Sequence, residues 1–220
     1  MIFQTINNKQ KTLNIKKVFP VSRKGFTLLE FLVVIGLLSI TIGSILLFLT
    51  SVLKGTNQAN ITSEVKQNGQ VVLDTLESQI RNATDAVCLN PADGSLCVSP
   101  TQSTTHIKLL RTNSDPLHIR CVPPSGITQN GKIEIAASNV SIGQVPTNFV
   151  SITSQDTVSG VNITNCDTNT IFTIVPSSGG VSAPPIVAVN FKVSQGVAAA
   201  SRQDFVANVD FQTTISLRGY

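Results

Sequence analysis

The sequence predicts an α+β protein in which one long N-terminal helix packs on an antiparallel β-sheet domain. Residues 26–83 contain no proline, and their apolar residues form first a continuous run and then a helical stripe. Residues 85–220 are instead rich in Thr, Ser, Val, Ile and Asn, which is typical of strands. Turn signals such as Gln129-Asn130-Gly131 divide this second region. One helix followed by many strands gives the fold class.

The N-terminal segment 1–25 is basic, and the run that follows it is apolar. The segment contains no acidic residue and six basic ones: Lys9, Lys11, Lys16, Lys17, Arg23 and Lys24. The run Phe31–Leu49 is about 19 residues long, which is enough to cross a bilayer as a helix. Because basic flanks stay in the cytoplasm, we expect a single-pass inner-membrane protein with a cytoplasmic N-terminus and with the residues after about 54 outside.

The position of a small residue predicts how such a segment is processed. A secretory signal peptide is cut after its apolar run, at a small-residue site. Residues 50–55 contain no clear Ala-x-Ala pattern, whereas Gly25 lies before the run. A cut after Gly25 would leave the span attached to the mature protein, with a free amine on Phe26. An ordinary signal anchor is the alternative.

Residues 23–30, Arg-Lys-Gly-Phe-Thr-Leu-Leu-Glu, resemble the processing signal of type IV prepilins and type II secretion pseudopilins. The resemblance implies a pilin-like fold, removal of leader 1–25 by a prepilin peptidase between Gly25 and Phe26, and N-methylation of Phe26. It also implies that Glu30 acts during assembly into a pilus or pseudopilus. The implied partners are other pilins or pseudopilins, the peptidase, the inner-membrane assembly platform and membrane lipid.

Glu30 is the single charge in the apolar segment 26–53. A carboxylate within a membrane span costs about 2.5–3.5 kcal/mol on insertion scales. In a bundle of packed spans it can pair with the Phe26 ammonium of a neighbouring subunit, so that each charge offsets the burial of the other and the register is fixed. A signal anchor with a stray glutamate explains the topology but not the spacing of Gly25, Phe26 and Glu30.

Residues 54–84 are predicted to continue the helix as an amphipathic segment. One apolar stripe recurs at steps of three and four residues: Ile61, Val65, Val72, Leu73, Leu76, Ile80 and Ala83. Parts of this segment, and the final run 211–218, are similar to the first domain helix and the last strand of W-type minor pilins and J-type minor pseudopilins. Glu30 argues against the K-type tip pseudopilin, which lacks this acid. Leu47 stands where many type IV pilins carry a proline.

The β-rich domain, residues 85–220, follows a helix that is expected to end between Ala83 and Pro91. Eight strand-like runs are predicted: His106–Arg111, Leu117–Val122, Lys132–Ala136, Phe149–Thr153, Gly160–Thr164, Thr170–Val175, Pro185–Val193 and Phe205–Leu217.

Four cysteines, Cys88, Cys97, Cys121 and Cys166, lie on the exported side. An even number in that compartment indicates two disulfides, for which three pairings are possible. We favour Cys88–Cys97, whose short loop contains turn residues, and Cys121–Cys166.

Charge and motif content favour a structural subunit over an enzyme. Residues 26–220 hold 10 basic and 12 acidic residues, so the chain's net charge of +4 comes from the leader, and we expect no nucleic-acid partner. No phosphate-binding loop, hydrolase motif or metal-ligand spacing is present, so we expect no catalytic residue, no metal and no cofactor. One alternative is a DNA-uptake or adhesin subunit of a type IV filament. The other is a signal-anchored envelope enzyme, which only the topology supports.

Two features could suggest a catalytic or ligand-binding site, and we interpret both as structural. His106 and His118 lie in strand-like runs, where a position on the sheet surface is expected rather than a catalytic or ligand role. Residues 90–94, Asn-Pro-Ala-Asp-Gly, offer too few ligands for calcium, which favours a plain turn.

Overall fold

A computed structural model describes residues 25–97, 102–167, 171–175, 184–199 and 206–218 of the chain. Within these residues, one helix precedes ten strands, and the pairings between strands are antiparallel. The predicted α+β order is therefore confirmed.

The elements are named in chain order. They are α1 (Leu28–Arg81), β1 (Asp85–Leu89), β2 (Gln102–Thr104), β3 (His106–Leu110), β4 (Leu117–Val122), β5 (Lys132–Ala137), β6 (Val150–Ser151), β7 (Val161–Ile163), β8 (Phe172–Val175), β9 (Ile186–Gln195) and β10 (Asn208–Ser216).

The strands form two sheets rather than the one sheet that the sequence analysis expects. The first sheet has the order β1-β3-β4-β5-β6. The second has the order β10-β9-β8-β2, and β7 also pairs with β9. The long strand β9 organises the second sheet, because it pairs along its length with β10 and uses its other edge for β8 and β7 in turn. Alternating side chains indicate which face of a strand is buried, but not which strand is its neighbour.

The chain divides into two compact units after Phe48. Of the stripe that the apolar spacing predicts, Ile61 is only partly buried, and Gly69 joins the buried positions. In the second unit, residues 49–81 of α1 thus bury one stripe against the sheets: Val65, Gly69, Val72, Leu73, Leu76 and Ile80. These residues join a core that includes the fully buried Phe191 of β9. The stripe fastens the helix to the domain by removing apolar surface from water.

Strands β1 and β2 are absent from the sequence-based prediction. The helix ends at Arg81, and Thr84 N–H already donates to the Leu110 carbonyl of β3, 2.8 Å away, so that β1 follows almost at once. The segment Asp85–Leu89 begins with an acid and is short, and β2 spans three residues. Neither is long enough for strand periodicity to stand out.

The two faces of the first sheet differ in chemistry. Ile107, Ile119 and Ile133 are fully buried in the core that the helix covers. Their sequence neighbours on β3 and β4 point the other way, because successive side chains alternate along a strand. His106 and His118 lie on this second face and are also fully buried.

The expectation that the histidines lie on the sheet surface is therefore wrong. The cause is the segment 138–149, which covers this face. The Lys108 ammonium donates to the Val140 carbonyl at 2.8 Å, and the ring of Phe149 lies edge-on to that of His106, with centroids 6.1 Å apart. The side-chain pattern of a single strand cannot predict that a distant segment of the chain will cover it.

Candidate processing and assembly site

The predicted cleavage point lies immediately before the helix. Gly25, Phe26 and Thr27 are exposed and non-helical, and α1 begins at Leu28. The Glu30 amide donates to the Thr27 hydroxyl oxygen, 3.2 Å away. Thr27 is therefore the N-cap of the helix and satisfies one of its free amides.

The sequence analysis did not identify this cap, although the local sequence indicates it. Thr27-Leu28-Leu29-Glu30 has the Ser/Thr-x-x-Glu spacing of a capping box, a signal readable from the sequence. A glutamate in the first turn also interacts favourably with the positive end of the helix dipole. Glu30 thus has a local role at the helix start in addition to any role between subunits.

The predicted site residues lie close together along the chain. Phe26 is 77% exposed, and Glu30 lies in the first turn of α1, also exposed. The Gly25–Phe26 peptide bond is accessible to a peptidase without unwinding of the helix, because neither residue takes part in it. A cut there would place a new amine two residues before the helix.

The apolar surface beyond Glu30 is exposed over its whole length. The large side chains from Leu28 to Leu53, among them Phe31, Leu47 and Phe48, are all exposed to solvent. Within the described residues, α1 is the one helix long and apolar enough to cross a membrane, judged by length and composition and not by any bound lipid. Such a surface is suited to lipid or to other apolar helices.

Three hydroxyl groups in this stretch are satisfied within the helix. The hydroxyls of Ser39, Thr41 and Ser44 each donate to a carbonyl three or four residues earlier, at 2.8 Å. A backbone in lipid needs such internal partners. A Cβ placed on Gly36 or Gly43 would meet nothing within 4 Å, so the backbone is open there.

Two disulfides stabilise the β-rich domain, in the arrangement that the sequence analysis favours. Cys88 pairs with Cys97, and Cys121 pairs with Cys166. The first closes a loop around the turn at residues 91–93, and the second joins β4 to the segment after β7. The described chain has no free cysteine.

The turn at residues 90–94 uses its acidic side chain internally. The amide and hydroxyl of Ser95 both donate to the Asp93 carboxylate, at 2.9 and 2.8 Å, and these bonds hold its pKa below the usual range. Gly94 has a φ of +72°, a conformation that glycine adopts without strain. These residues form the plain turn that the sequence favours.

A charged network lies on the covered face of the first sheet. The Glu134 carboxylate is paired with Arg120 and with Lys132, each at 2.7 Å. Burial alone would raise the pKa of Glu134, but the hydrogen bonds from Lys132 and Arg120 outweigh it and lower the pKa. The Arg120 guanidinium also lies 3.8 Å from the centre of the Phe149 ring, as a cation–π contact.

In the part of the chain that the structure describes, no group of three or more His, Cys, Asp or Glu side chains is arranged to hold a metal ion. Comparison of the chain with protein-family models, curated proteins and solved structures gives no match. The functional assignment therefore depends on the residues and geometry described above.

Proposed function

We propose that this protein is a minor pilin or pseudopilin, a structural subunit of a type IV pilus or type II secretion filament. The observation that carries the proposal is the Lys24-Gly25-Phe26 sequence followed by Glu30 at the start of an exposed apolar helix. The protein is a substrate of a prepilin peptidase and not an enzyme. Within that class, we assign it to the W-type minor pilins or J-type minor pseudopilins, on the resemblance of its first domain helix and last strand.

The proposed topology follows from the charges on either side of the apolar run. The basic leader holds the N-terminus in the cytoplasm, residues 26–53 form the transmembrane and assembly segment, and the β-rich domain lies outside. Two disulfides in that domain support an oxidising compartment. After cleavage, the span remains attached to the domain and serves as the assembly segment.

Assembly then depends on the pairing of two charges. The Glu30 carboxylate meets the Phe26 ammonium of a neighbouring subunit within the packed helices. Either charge alone in that apolar bundle is costly, and removal of one member of a buried pair costs about 3–5 kcal/mol. A subunit that is shifted along its neighbour loses the pair, so the pair selects one register.

The DNA-binding alternative gains no support from the described domain. Lys108 is buried and donates to a backbone carbonyl, and Arg120 and Lys132 both form ion pairs with Glu134. These cations serve the fold of the domain and are not displayed for phosphates.

The test replaces Glu30 in the native host. Glu30→Leu is expected to insert and to be cleaved normally but to be lost from filaments, and a photocrosslinker at Leu37 is expected to lose its products with neighbouring pilins. The matched control, Glu30→Asp, keeps the charge and is expected to restore most crosslinking. Unchanged crosslinking and filament content in Glu30→Leu would reject the assembly role.

A further inference from the structure

The two histidines of the chain form one buried pair on the covered face of the first sheet. His106 Nε2 and His118 Nδ1 are 3.2 Å apart, which is a hydrogen bond between the rings. Their other ring nitrogens, His106 Nδ1 and His118 Nε2, are buried without a hydrogen-bond partner in the described structure. Two neutral imidazoles can share one N–H···N bond, since one ring donates and the other accepts.

The charges around the pair are almost all positive. Lys108 on β3 is directly opposite His118 in the strand register, and Arg120 on β4 is directly opposite His106. The five strands of this sheet together contain two acidic residues, Glu134 and Asp85. Glu134 is already paired with Arg120 and Lys132, and Asp85 is at the far end of β1, opposite Leu110.

The covering segment 138–149 adds no charge of its own, since its residues are all uncharged. Two of its contacts with the sheet are made by the cations that flank the histidines. Lys108 Nζ donates to the Val140 carbonyl, and Arg120 lies over the Phe149 ring. Phe149 also contacts His106 edge-on.

Protonation of this pair is therefore unfavourable while the segment covers it. The first proton preserves the bond between the rings but introduces a third cation between Lys108 and Arg120, away from water. The second proton makes every ring nitrogen a donor and breaks the bond between the rings. Water can reach the charged rings where the segment 138–149 lifts from the sheet, which removes both penalties.

We propose that the His106–His118 pair is an acid-sensitive latch, whose protonation releases the segment 138–149 from the first sheet while the rest of the domain stays folded. A domain outside the cytoplasmic membrane meets the pH of its surroundings, and this latch would expose Phe149 and the covered polar face in acid.

The size of the effect follows from proton linkage. Burial, then the neighbouring His118 and Arg120, lower the pKa of His106 from the usual 6.5 to about 4; burial and then Lys108 lower that of His118 to about 4. The released state takes up protons below about pH 6.5 and the latched state only near pH 4, so the latch weakens as pH falls between these values. From pH 7 to pH 5, the ratio of latched to released states falls by about 20-fold for each imidazole that titrates independently.

Hydrogen exchange of the full chain in detergent micelles tests the latch. The backbone amide of Gly143 donates to the Gly94 carbonyl at 2.9 Å, so peptides that cover Gly143 report on the segment. After correction for the intrinsic pH dependence of exchange, their protection is expected to fall by at least about 20-fold at pH 5, while peptides from β9 stay protected. Unchanged protection of the segment, or equal loss in β9, would overturn the proposal.

Variants separate the histidines from other acid-sensitive groups. His106→Gln and His118→Asn retain a polar atom near the position of the bonded nitrogen but cannot take up a proton near pH 5, so the double variant is expected to lose the pH response. Asp93→Asn is the control, because Asp93 precedes Gly94, the partner of Gly143. It is expected to respond as the wild type does. A retained response in the double variant would overturn the latch.

A second readout keeps the test decisive if the double variant fails to fold. Because the chain contains two histidines, ring ¹⁵N labelling of histidine reports the pair alone. The rings are expected to stay neutral well below pH 6.5 and to titrate together with the loss of protection in the segment. Titration of both rings near 6.5 with the segment still protected would contradict the latch.

Discussion

Gly69 of α1 is the position where the packing of helix and sheet leaves least room. A Cβ built on it would overlap Cε2 of Phe211 on β10 and would lie 2.5 Å from Cζ of the same ring. The ring has little freedom to move, because it is 6% exposed and stacks on Phe191 with centroids 5.2 Å apart. We therefore expect Gly69→Ala to destabilise the domain although alanine favours a helix.

The magnitude is a difference between two terms. Alanine in place of glycine within a helix contributes about 1 kcal/mol of stability. Forcing a methyl group into a packed core costs about 1–3 kcal/mol, and the overlap with a stacked ring places Gly69→Ala at the upper end. The net loss is about 2 kcal/mol, which corresponds to a fall of about 4–8 °C in the melting temperature for a unit of this size.

Thermal unfolding of the full chain in detergent, followed by circular dichroism, measures this loss. Gly55→Ala is the matched control, since it lies in the same helix and a Cβ there meets nothing within 4 Å. The control is expected to be stabilised by up to about 1 kcal/mol. Phe211→Leu should relieve the overlap, so the double variant should lose less than the sum of the single losses. A Gly69→Ala protein as stable as the wild type would refute the packing argument.

Two further predictions concern the domain. Removal of Cys121–Cys166, with a sequence separation of 45, should cost about 4 kcal/mol, and removal of Cys88–Cys97, with a separation of 9, about 3 kcal/mol. Denaturant unfolding of the two double-serine variants measures both losses, and a larger loss for the shorter loop would contradict the loop-entropy reasoning. Glu134→Gln leaves two cations facing each other on the covered face and should cost about 1–3 kcal/mol, whereas a loss near zero in the same assay would show the network to be energetically neutral.

The helix and most of the strands could be predicted from the sequence because their signals are local. The apolar stripe from Val65 to Ile80 has the helical period, and β3, β4 and β5 alternate or run apolar between turn residues. The short strands β1 and β2 could not be predicted, since they are held by pairing with β3 and β8 and not by their own composition.

The candidate site divides in the same way. The spacing of Gly25, Phe26 and Glu30 predicts their roles, which stay a prediction, and the Ser/Thr-x-x-Glu spacing also indicates the Thr27 cap that the structure shows. The burial of His106 and His118 could not be predicted, because it depends on segment 138–149 crossing the sheet. The contacts that cover the histidines join residues about 30 to 40 positions apart, which a local sequence pattern cannot show.

The most direct test of the account is the N-terminus of the mature protein, read by intact-mass and peptide mass spectrometry after extraction from native-host membranes. The mature chain is expected to begin at Phe26 and to carry one added methyl group on its amine. A mature chain that begins after residue 50, or one that still begins at Met1, would contradict the central claim that this protein is a processed filament subunit.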